Sequence, residues 1–312
     1  MNILSGGIIA ASIALTASAV HADDKPLIGI VSISATEAGN VRYIRGATKA
    51  AEELGFRVSV VDAAGSADQA NAGIQNFAQL GAYGIIDLVF PFSSLGAGLD
   101  AAHAAGIPVV TWGGGLGSTV AATNGSGGPM ANPIVKSMLD KMAGKGSILA
   151  LTYHTGEVCR NREVVFDQMA AKYPDIKVTK NEVRIPGYFE DGAQYANAWL
   201  ASHPASENLA IWGCWDDPAL GAIGSLRSQE RSDVQVYGVN GGAQAIESVK
   251  NGFMVATAWE DATTEGYDMV KLLPEIKKAG ASWQPKAVEV PAVVVTKDNV
   301  EAFVKEHPDA LK

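Results

Sequence analysis

Short apolar runs alternate with longer amphipathic segments along most of the chain, and this alternation limits the possible folds more than any other feature. The run Leu27 to Ser32 predicts a buried strand, and residues 41–54 predict a helix that ends at Gly55. The same pattern predicts strands at 58–62, 85–90 and 109–112 and helices at 68–81 and 95–105. Repeated strand and helix units are typical of a parallel sheet covered by helices on both faces.

A stretch rich in Gly, Ser and Thr, residues 113–128, interrupts this alternation, with a short strand predicted at 120–123. The stretch lacks both common Gly-rich phosphate-binding patterns, so a passage between two lobes is the more economical interpretation. The alternation then resumes. Strands are predicted at 147–152, 176–185, 209–212, 234–239 and 254–259, helices at 160–172, 192–203, 243–251 and 263–278, a last extended segment at 287–295 and a tail helix at 297–305. The sequence therefore predicts an α/β fold made of two similar blocks in tandem.

Composition agrees with a large, acidic globular protein. The 312 residues are 47% hydrophobic and 18% charged, enough for a sizeable core, and the length suggests two domains. The net charge is −9 and the pI about 5.1, so nucleic acids and anionic membrane surfaces are excluded as partners.

The amino terminus predicts a secretory signal peptide at residues 1–22. Residues 3–20 are apolar and small, and Val20-His21-Ala22 resembles a small-x-small cleavage site, although the segment has no Lys or Arg. No Cys follows the apolar run, which argues against a lipid anchor, and no other segment is suited to span a bilayer. We therefore expect an exported protein.

The two cysteines, Cys159 and Cys214, each follow a predicted strand. An exported protein can form one disulfide from them, but the sequence does not show whether their Cα atoms approach each other. A bridge and two separate packing residues therefore both stay open.

Residues 208–226 combine a strand, a turn and a helix, and ligands of such sheets bind just beyond the carboxyl ends of the strands. Asp217 occupies a predicted N-cap position, and Pro218 lies in the first helical turn. Trp215 and Asp216 lie in the turn, where an indole face beside a carboxylate suits a small molecule with a C–H face and hydroxyl or ammonium donors. The alternative is that Asp216 helps to cap the helix and Trp215 only packs.

Catalytic constellations are missing from the sequence. It has neither G-x-S-x-G nor H-E-x-x-H, and no two of its five histidines have metal-ligand spacing. The carboxylate pairs 216–217 and 260–261 do not by themselves favour hydrolysis, which needs two carboxyls at a fixed separation. We therefore predict no enzyme activity, no metal and no cofactor.

Several motifs resemble the ribose-binding-protein-like group of periplasmic solute-binding proteins. They are IGIVSIS with RGATKAAEELGF, AGIPVVTW, CRNREVVFDQM, ENLAIWGCWDDPALGAI, VQVYGVNGGAQAIESVKNG and FMVATAWED. The resemblance implies two Rossmann-like lobes with parallel sheets joined by a three-strand hinge, a type I periplasmic-binding fold. It implies crossings near 121–124, 261–263 and 289–291, a first lobe of 25–123 with 262–288, and a second lobe of 124–261 with 289–312.

The resemblance also implies binding positions just after the strands. In this sequence they are Ser34, Glu37, Trp112, Arg160, Phe189, Trp215, Asp216, Asn240 and Glu260. The chain departs from the family pattern in the first lobe, where Gly39 and Asn40 stand in place of two stacking aromatics and Gly113–Gly114 in place of Asp-Arg. In return it has two tryptophans and two additional carboxylates.

The function implied is that of a periplasmic monomer that delivers a small polar ligand, a monosaccharide or polyol, to the permease of an ABC importer. The alternative is a sensor subunit that reports ligand occupancy to a membrane histidine kinase or chemoreceptor. The predicted excess of carboxylates over Arg160 ranks a neutral sugar or polyol first, an amino-bearing ligand second and an anion last.

Overall fold

The computed structural model describes residues 25–125, 127–205, 207–288 and 291–311, and in these residues the chain forms two six-stranded sheets. The first sheet contains β1 (Leu27–Ser32), β2 (Arg57–Asp62), β3 (Gly84–Leu88), β4 (Val109–Trp112), β5 (Val120–Asn124) and β11 (Lys286–Ala287). The second contains β6 (Lys145–Thr152), β7 (Asp175–Glu182), β8 (Leu209–Gly213), β9 (Val234–Tyr237), β10 (Ala256–Trp259) and β12 (Val293–Thr296). The predicted signal peptide lies outside the described residues.

Both sheets have the same strand order. The first reads β11-β5-β4-β3-β1-β2 and the second β12-β10-β9-β8-β6-β7. The strands pair in parallel, except that β12 runs antiparallel to β10. In this doubly wound order the direction in which successive strands are added to the sheet reverses between β1 and β3 and between β6 and β8, and the carboxyl ends of the strands at such a point form a crevice for ligands. The predicted fold, two α/β lobes with mostly parallel sheets, is confirmed.

The described helices are α1 (Ala38–Glu53), α2 (Ala67–Gln79), α3 (Gly96–Ala104), α4 (Gly128–Lys141), α5 (Glu157–Ala170), α6 (Tyr188–Leu200), α7 (Asp216–Ser228), α8 (Ala243–Lys250), α9 (Ala262–Ala279) and α10 (Val300–Glu306). Helix α1 begins three residues earlier than predicted because Glu37 caps it, accepting a hydrogen bond from the Asn40 N–H. Helix α4 was not predicted from the sequence, because Pro129 and Pro133 interrupt the segment that carries its apolar face. Helix α9 continues through Pro274.

Three connections run between the two sheets: β5 to α4, β10 to α9, and β11 to β12. After the second connection α9 returns to the first sheet and packs on α1. Glycine makes this packing close, because a Cβ at Gly46 would lie 1.8 Å from the Thr263 carbonyl oxygen and one at Gly266 2.2 Å from that of Tyr43. The exact lobe boundaries stay a prediction, and residues 289–290 of the third expected crossing lie outside the described residues.

The core consists mainly of aliphatic side chains on the central strands of the two sheets, which are buried on both faces, whereas the edge strands β2 and β7 are largely exposed. In the part of the chain that the structure describes, no helix is both long and apolar enough to cross a bilayer.

Candidate functional site

A cavity of about 50 Å³ lies between the carboxyl ends of the two sheets. The residues that line it come from both lobes: Ile33, Glu37, Asn40, Val89, Trp112, Gly125, Tyr153, Gly156, Val158, Cys159, Arg162, Ile185, Trp215, Asn240 and Glu260. Five of the nine predicted site residues, Glu37, Trp112, Trp215, Asn240 and Glu260, are therefore brought together.

Two tryptophans contribute aromatic surface from different lobes. Trp112 ends β4 in the first lobe, with its ring centroid 5.2 Å from that of Tyr43. Trp215 follows β8 in the second lobe and lies edge-to-face with Tyr153 and Tyr188, at 5.9 and 5.7 Å. Indole faces of this kind suit the C–H surface of a sugar or polyol, or a cation.

Arg162 on α5 is the only Lys or Arg among the described residues that line the cavity. It is buried, and its Nη1 donates to the Cys214 carbonyl oxygen at 2.7 Å. Its Nη2 donates to Asn240 Oδ1 at 2.8 Å and lies 4.0 Å from Glu260 Oε1. Burial lowers the pKa of the guanidinium, and the nearby Glu260 carboxylate opposes this shift. An arginine stays protonated in such a setting, so Arg162 supplies the positive charge.

Acidic and amide groups complete the polar lining. Glu37 accepts from Asn40 N–H at 2.8 Å and lies 3.5 Å from Asn240 Nδ2. Asn40 lines the cavity, and its buried Oδ1 has no hydrogen-bond partner among the described residues. Asn240 has a φ of 108°, and its N–H donates to the Ala258 carbonyl at 2.8 Å, which holds this unusual conformation in place.

Arg42 on α1 connects the lobes behind the cavity. Its Nη2 donates to the Asn240 carbonyl oxygen at 2.7 Å and its Nη1 to that of Glu260 at 3.2 Å. The lobes also meet where Glu157 N–H approaches the Val89 carbonyl at 3.4 Å. The lobes therefore lie against each other around the cavity.

Arg160, Phe189 and Ser34 do not line the cavity, which differs from the sequence prediction. The Arg160 side chain is 38% exposed and binds Glu157 and the His154 carbonyl oxygen instead. Phe189 is 36% exposed on the first turn of α6. Ser34 is buried, with its hydroxyl 3.4 Å from that of Thr36. The reason for Arg160 is helical phase, because Arg162, two positions further on, lines the cavity instead. Next to Phe189 it is Tyr188 that packs against Trp215.

Asp216 lies outside the cavity lining and joins two elements of the second lobe. Its carboxylate accepts from the Thr257 hydroxyl at 2.7 Å and from Gly242 N–H, at the start of α8, at 2.8 Å. Burial raises the pKa of Asp216 to about 7, and burial with the nearby Glu37 and Asp216 carboxylates raises the pKa of Asp217 to about 8. The prediction that Asp217 caps α7 is wrong, since the helix begins at Asp216 with Trp215 at the N-cap.

Cys159 and Cys214 form a disulfide, with Cα atoms 5.4 Å apart, which decides the alternative that the sequence left open. The bond joins the first turn of α5 to the end of β8. It therefore fixes the backbone next to Trp215 and one turn before Arg162.

Four residues in or beside the cavity were not predicted as site residues from the sequence: Arg162, Tyr153, Asn40 and Arg42. A signal for Arg162 existed, because the buried residues of α5 are Cys159, Arg162, Glu163, Phe166 and Ala170, a spacing of three and four. Arg162 shares the face of Cys159, whereas Arg160 does not. Arg42 had no such signal, since its partners are backbone carbonyls about 200 positions away.

Two doubly wound lobes that enclose a cavity lined by aromatic and polar side chains define the class of solute-binding proteins with the type I periplasmic fold. The chain belongs to the family described as periplasmic binding protein domain, whose sequence profile matches residues 28–281. The resemblance to ribose-binding proteins is thereby confirmed, and the family works in the periplasm in solute transport.

Individual relatives agree with this assignment. The chain is 28% identical over 269 residues to the ribose import binding protein RbsB of Salmonella typhimurium, covering 82% of this chain and 87% of that protein. It is 28% identical over 179 residues to the xylitol-binding protein of Mycolicibacterium smegmatis, covering 55% of this chain but only 48% of the relative. An Agrobacterium vitis solute-binding protein solved with bound allitol superposes with a TM-score of 0.82 at 21% identity, covering 91% of this chain and all of that one.

Proposed function

We propose that this protein binds a neutral monosaccharide or polyol in the cavity and delivers it to the permease of an ABC importer. The observation that carries this proposal is the lining itself, in which indole faces from both lobes accompany buried carboxylate, amide and guanidinium groups. The relatives described as xylitol-binding and ribose import binding proteins, and the solved protein with allitol, support the same ligand class.

The chemistry of a hydroxyl group fits this lining. Each hydroxyl both donates and accepts, so it can donate to Glu37 or Glu260 and accept from Arg162, and hydrogen bonds to charged groups are strong. The tryptophans cover the C–H face of the same molecule. The proposed site therefore consists of Glu37, Asn40, Trp112, Arg162, Trp215, Asn240 and Glu260, whereas Ser34, Arg160, Phe189 and Asp216 lie outside it.

The charge of the lining ranks the possible ligands. Glu37 and Glu260 face the cavity against Arg162, and Arg162 already contacts Asn240 and lies near Glu260. An anionic ligand would meet more negative than positive charge in a poorly solvated space. A ligand with an amino group stays the second candidate, because two indole faces and two carboxylates can hold a cation.

We further propose that the two lobes, residues 25–123 with 262–288 and residues 124–261 with 289–312, close on the ligand about a three-strand hinge. The lining is divided between the lobes, so a ligand that contacts both halves favours the closed arrangement. Closure would form the joint surface that the permease recognises.

Calorimetry with ribose, xylitol, allitol and myo-inositol tests the ligand class, with a quaternary amine such as choline and a sugar acid as comparisons. We expect one of the neutral compounds to bind with a Kd near micromolar, roughly −8 kcal/mol. Binding of the sugar acid alone would overturn the proposal. Uptake of the same compound by a strain lacking the protein then distinguishes transport from sensing, since a sensor subunit would change a transcriptional or chemotactic response without changing permease-dependent uptake.

A further inference from the structure

Glu265 lies between the cavity and the connections that join the two sheets. It belongs to the first turn of α9, just after the chain has passed from β10 back to the first lobe, and it is almost completely buried. It does not line the cavity itself. A buried carboxyl group near such a connection calls for a structural explanation, because burying it costs free energy.

Each carboxyl oxygen of Glu265 has its own donor. Oε2 accepts from the indole Nε1–H of Trp112 at 2.9 Å, and Oε1 accepts from the backbone N–H of Gly125 at 3.1 Å. The backbone carbonyl of Glu265 accepts from Asn124 Nδ2 at 3.0 Å. Asn124 ends β5 and Gly125 follows it, so these bonds join the β10–α9 connection, the β5–α4 connection and an aromatic wall of the cavity.

Two glycines, Gly125 and Gly39, pack closely against the indole ring of Trp112. A Cβ at Gly125 would lie 2.5 Å from Trp112 Cδ1 and 2.7 Å from Nε1, and the φ of 82° at Gly125 also favours glycine. A Cβ at Gly39, on α1, would lie 3.1 Å from Trp112 Cη2. The indole therefore packs directly on the backbone of the β5–α4 connection, and a rotation of the ring requires that turn to move.

The protonation of Glu265 suits this arrangement. Burial, followed by the nearby Glu260 carboxylate, raises the pKa of Glu265 to about 9, which favours its neutral form. A neutral carboxyl still has lone pairs on both oxygens for the two N–H donors. It also avoids a second negative charge beside Glu260, which lines the cavity.

We propose that Glu265 is a positioning residue that couples the orientation of Trp112 in the cavity to the backbone turn at Gly125, where the chain passes between the lobes. A ligand that contacts the indole then acts directly on a hinge connection. The part of this proposal that concerns a ligand rests on the proposed function, whereas the coupling itself is a property of the ligand-free protein.

Nuclear magnetic resonance of ligand-free protein tests the coupling, with hydrogen exchange followed at the Trp112 indole N–H and the Gly125 amide. Glu265→Gln keeps the size of the side chain but replaces one acceptor oxygen by a donor, so at least one of the two N–H groups should exchange about tenfold faster. Glu275→Gln, an exposed change on the same helix, is the matched control and should leave both rates unchanged. Unchanged rates in Glu265→Gln would refute the proposal.

Trp112→Phe removes the indole donor and keeps an aromatic ring. If Glu265 transmits the effect, this change should speed exchange at the Gly125 amide in the otherwise unchanged protein and have little further effect when combined with Glu265→Gln. Independent, additive effects would overturn the coupling. Trp112→Phe alone gives a decision even if Glu265→Gln does not fold, because an unaltered Gly125 exchange rate in that variant also contradicts the proposal.

The ligand arm uses whichever of ribose, xylitol, allitol or myo-inositol binds the unchanged protein. Glu265→Gln should weaken that binding about five- to tenfold, the effect of one lost hydrogen bond, and the double variant should bind no more weakly than Trp112→Phe. Additive losses in affinity would contradict the proposal. If none of the four compounds binds the unchanged protein, the proposed function fails, and the exchange measurements still decide the coupling.

Discussion

Two arginines separated by one residue on α5 behave very differently. Arg162 has a side chain that is 3% exposed and lies in the cavity wall, whereas the Arg160 side chain is 38% exposed and does not line the cavity. The sequence motif CRNRE does not distinguish them, but the helical phase set by Cys159 does.

We therefore predict that Arg162→Ala weakens ligand binding by roughly 10- to 100-fold, because a charged donor is lost and Glu260 loses a nearby positive charge. Arg160→Ala is the matched control and should change the affinity less than twofold. Calorimetry on both variants with the best-binding polyol measures this. If Arg160→Ala weakened binding more than Arg162→Ala, Arg160 would be the binding residue, as the sequence predicted.

A second prediction at the scale of residues concerns the effect of buried carboxyl groups on stability. The pKa values of Asp216, Asp217 and Glu265 are raised to about 7, 8 and 9, in each case first by burial. The folded state therefore holds protons that the unfolded state, with pKa values of about 4, releases. This contribution to stability is complete below the unfolded pKa values and is lost as the pH rises through the folded ones.

The free energy of unfolding should therefore fall between pH 5 and pH 9. Asp216→Asn should make this fall smaller, because the substituted group no longer titrates. Urea unfolding at a series of pH values gives both quantities. A free energy of unfolding that rises over this interval would show that the three groups are ionised in the folded protein.

At the scale of elements, the disulfide joins the first turn of α5 to the end of β8, 55 positions apart in sequence. Helix α5 contributes Arg162 to the cavity lining, and the turn after β8 contributes Trp215. The bond therefore supports the site as well as the second lobe.

Replacing Cys159 and Cys214 by Ala should lower the free energy of unfolding by about 4 kcal/mol, the loop-entropy estimate for a loop of this length. Affinity for the polyol should fall as well, because the two site residues lose their common anchor. Chemical denaturation and calorimetry measure the two effects, and the unmodified protein treated with reductant serves as the comparison. Unaltered affinity in a clearly destabilised variant would show that the bond supports only the fold.

At the scale of the whole molecule, glycines at the lobe interface allow the lobes to approach. A Cβ at Gly113, in the first lobe, would lie 2.2 Å from Val158 Cγ2, in the second. Gly115 has a φ of 81°, similar to the 70° of Gly113, but a Cβ at Gly115 would lie 3.6 Å from its nearest neighbour, Phe92 Cδ1. The two positions thus share the same backbone requirement and differ in what lies across the interface.

Gly113→Ala should hinder closure, weaken ligand binding and leave a larger radius of gyration with ligand present. Gly115→Ala should show only the destabilisation of about 1 kcal/mol expected for Ala at positive φ. Small-angle scattering with and without ligand measures closure, and Val158→Ala in the Gly113→Ala background should restore it. Equal behaviour of the two glycine variants would argue against closure as proposed.

The sequence by itself determined the α/β class, most strands and helices, and the edge of the sheets where the cavity lies. These features depend on local periodicity and on the general rule for parallel sheets, so Glu37, Trp112, Trp215, Asn240 and Glu260 were found from the chain and its family resemblance. The bridge between Cys159 and Cys214 and the contacts of Arg42 and Glu265 were decided only by tertiary structure. They depend on how far apart two segments lie and on which face of a helix meets the other lobe, and neither quantity is encoded in a local pattern of residues.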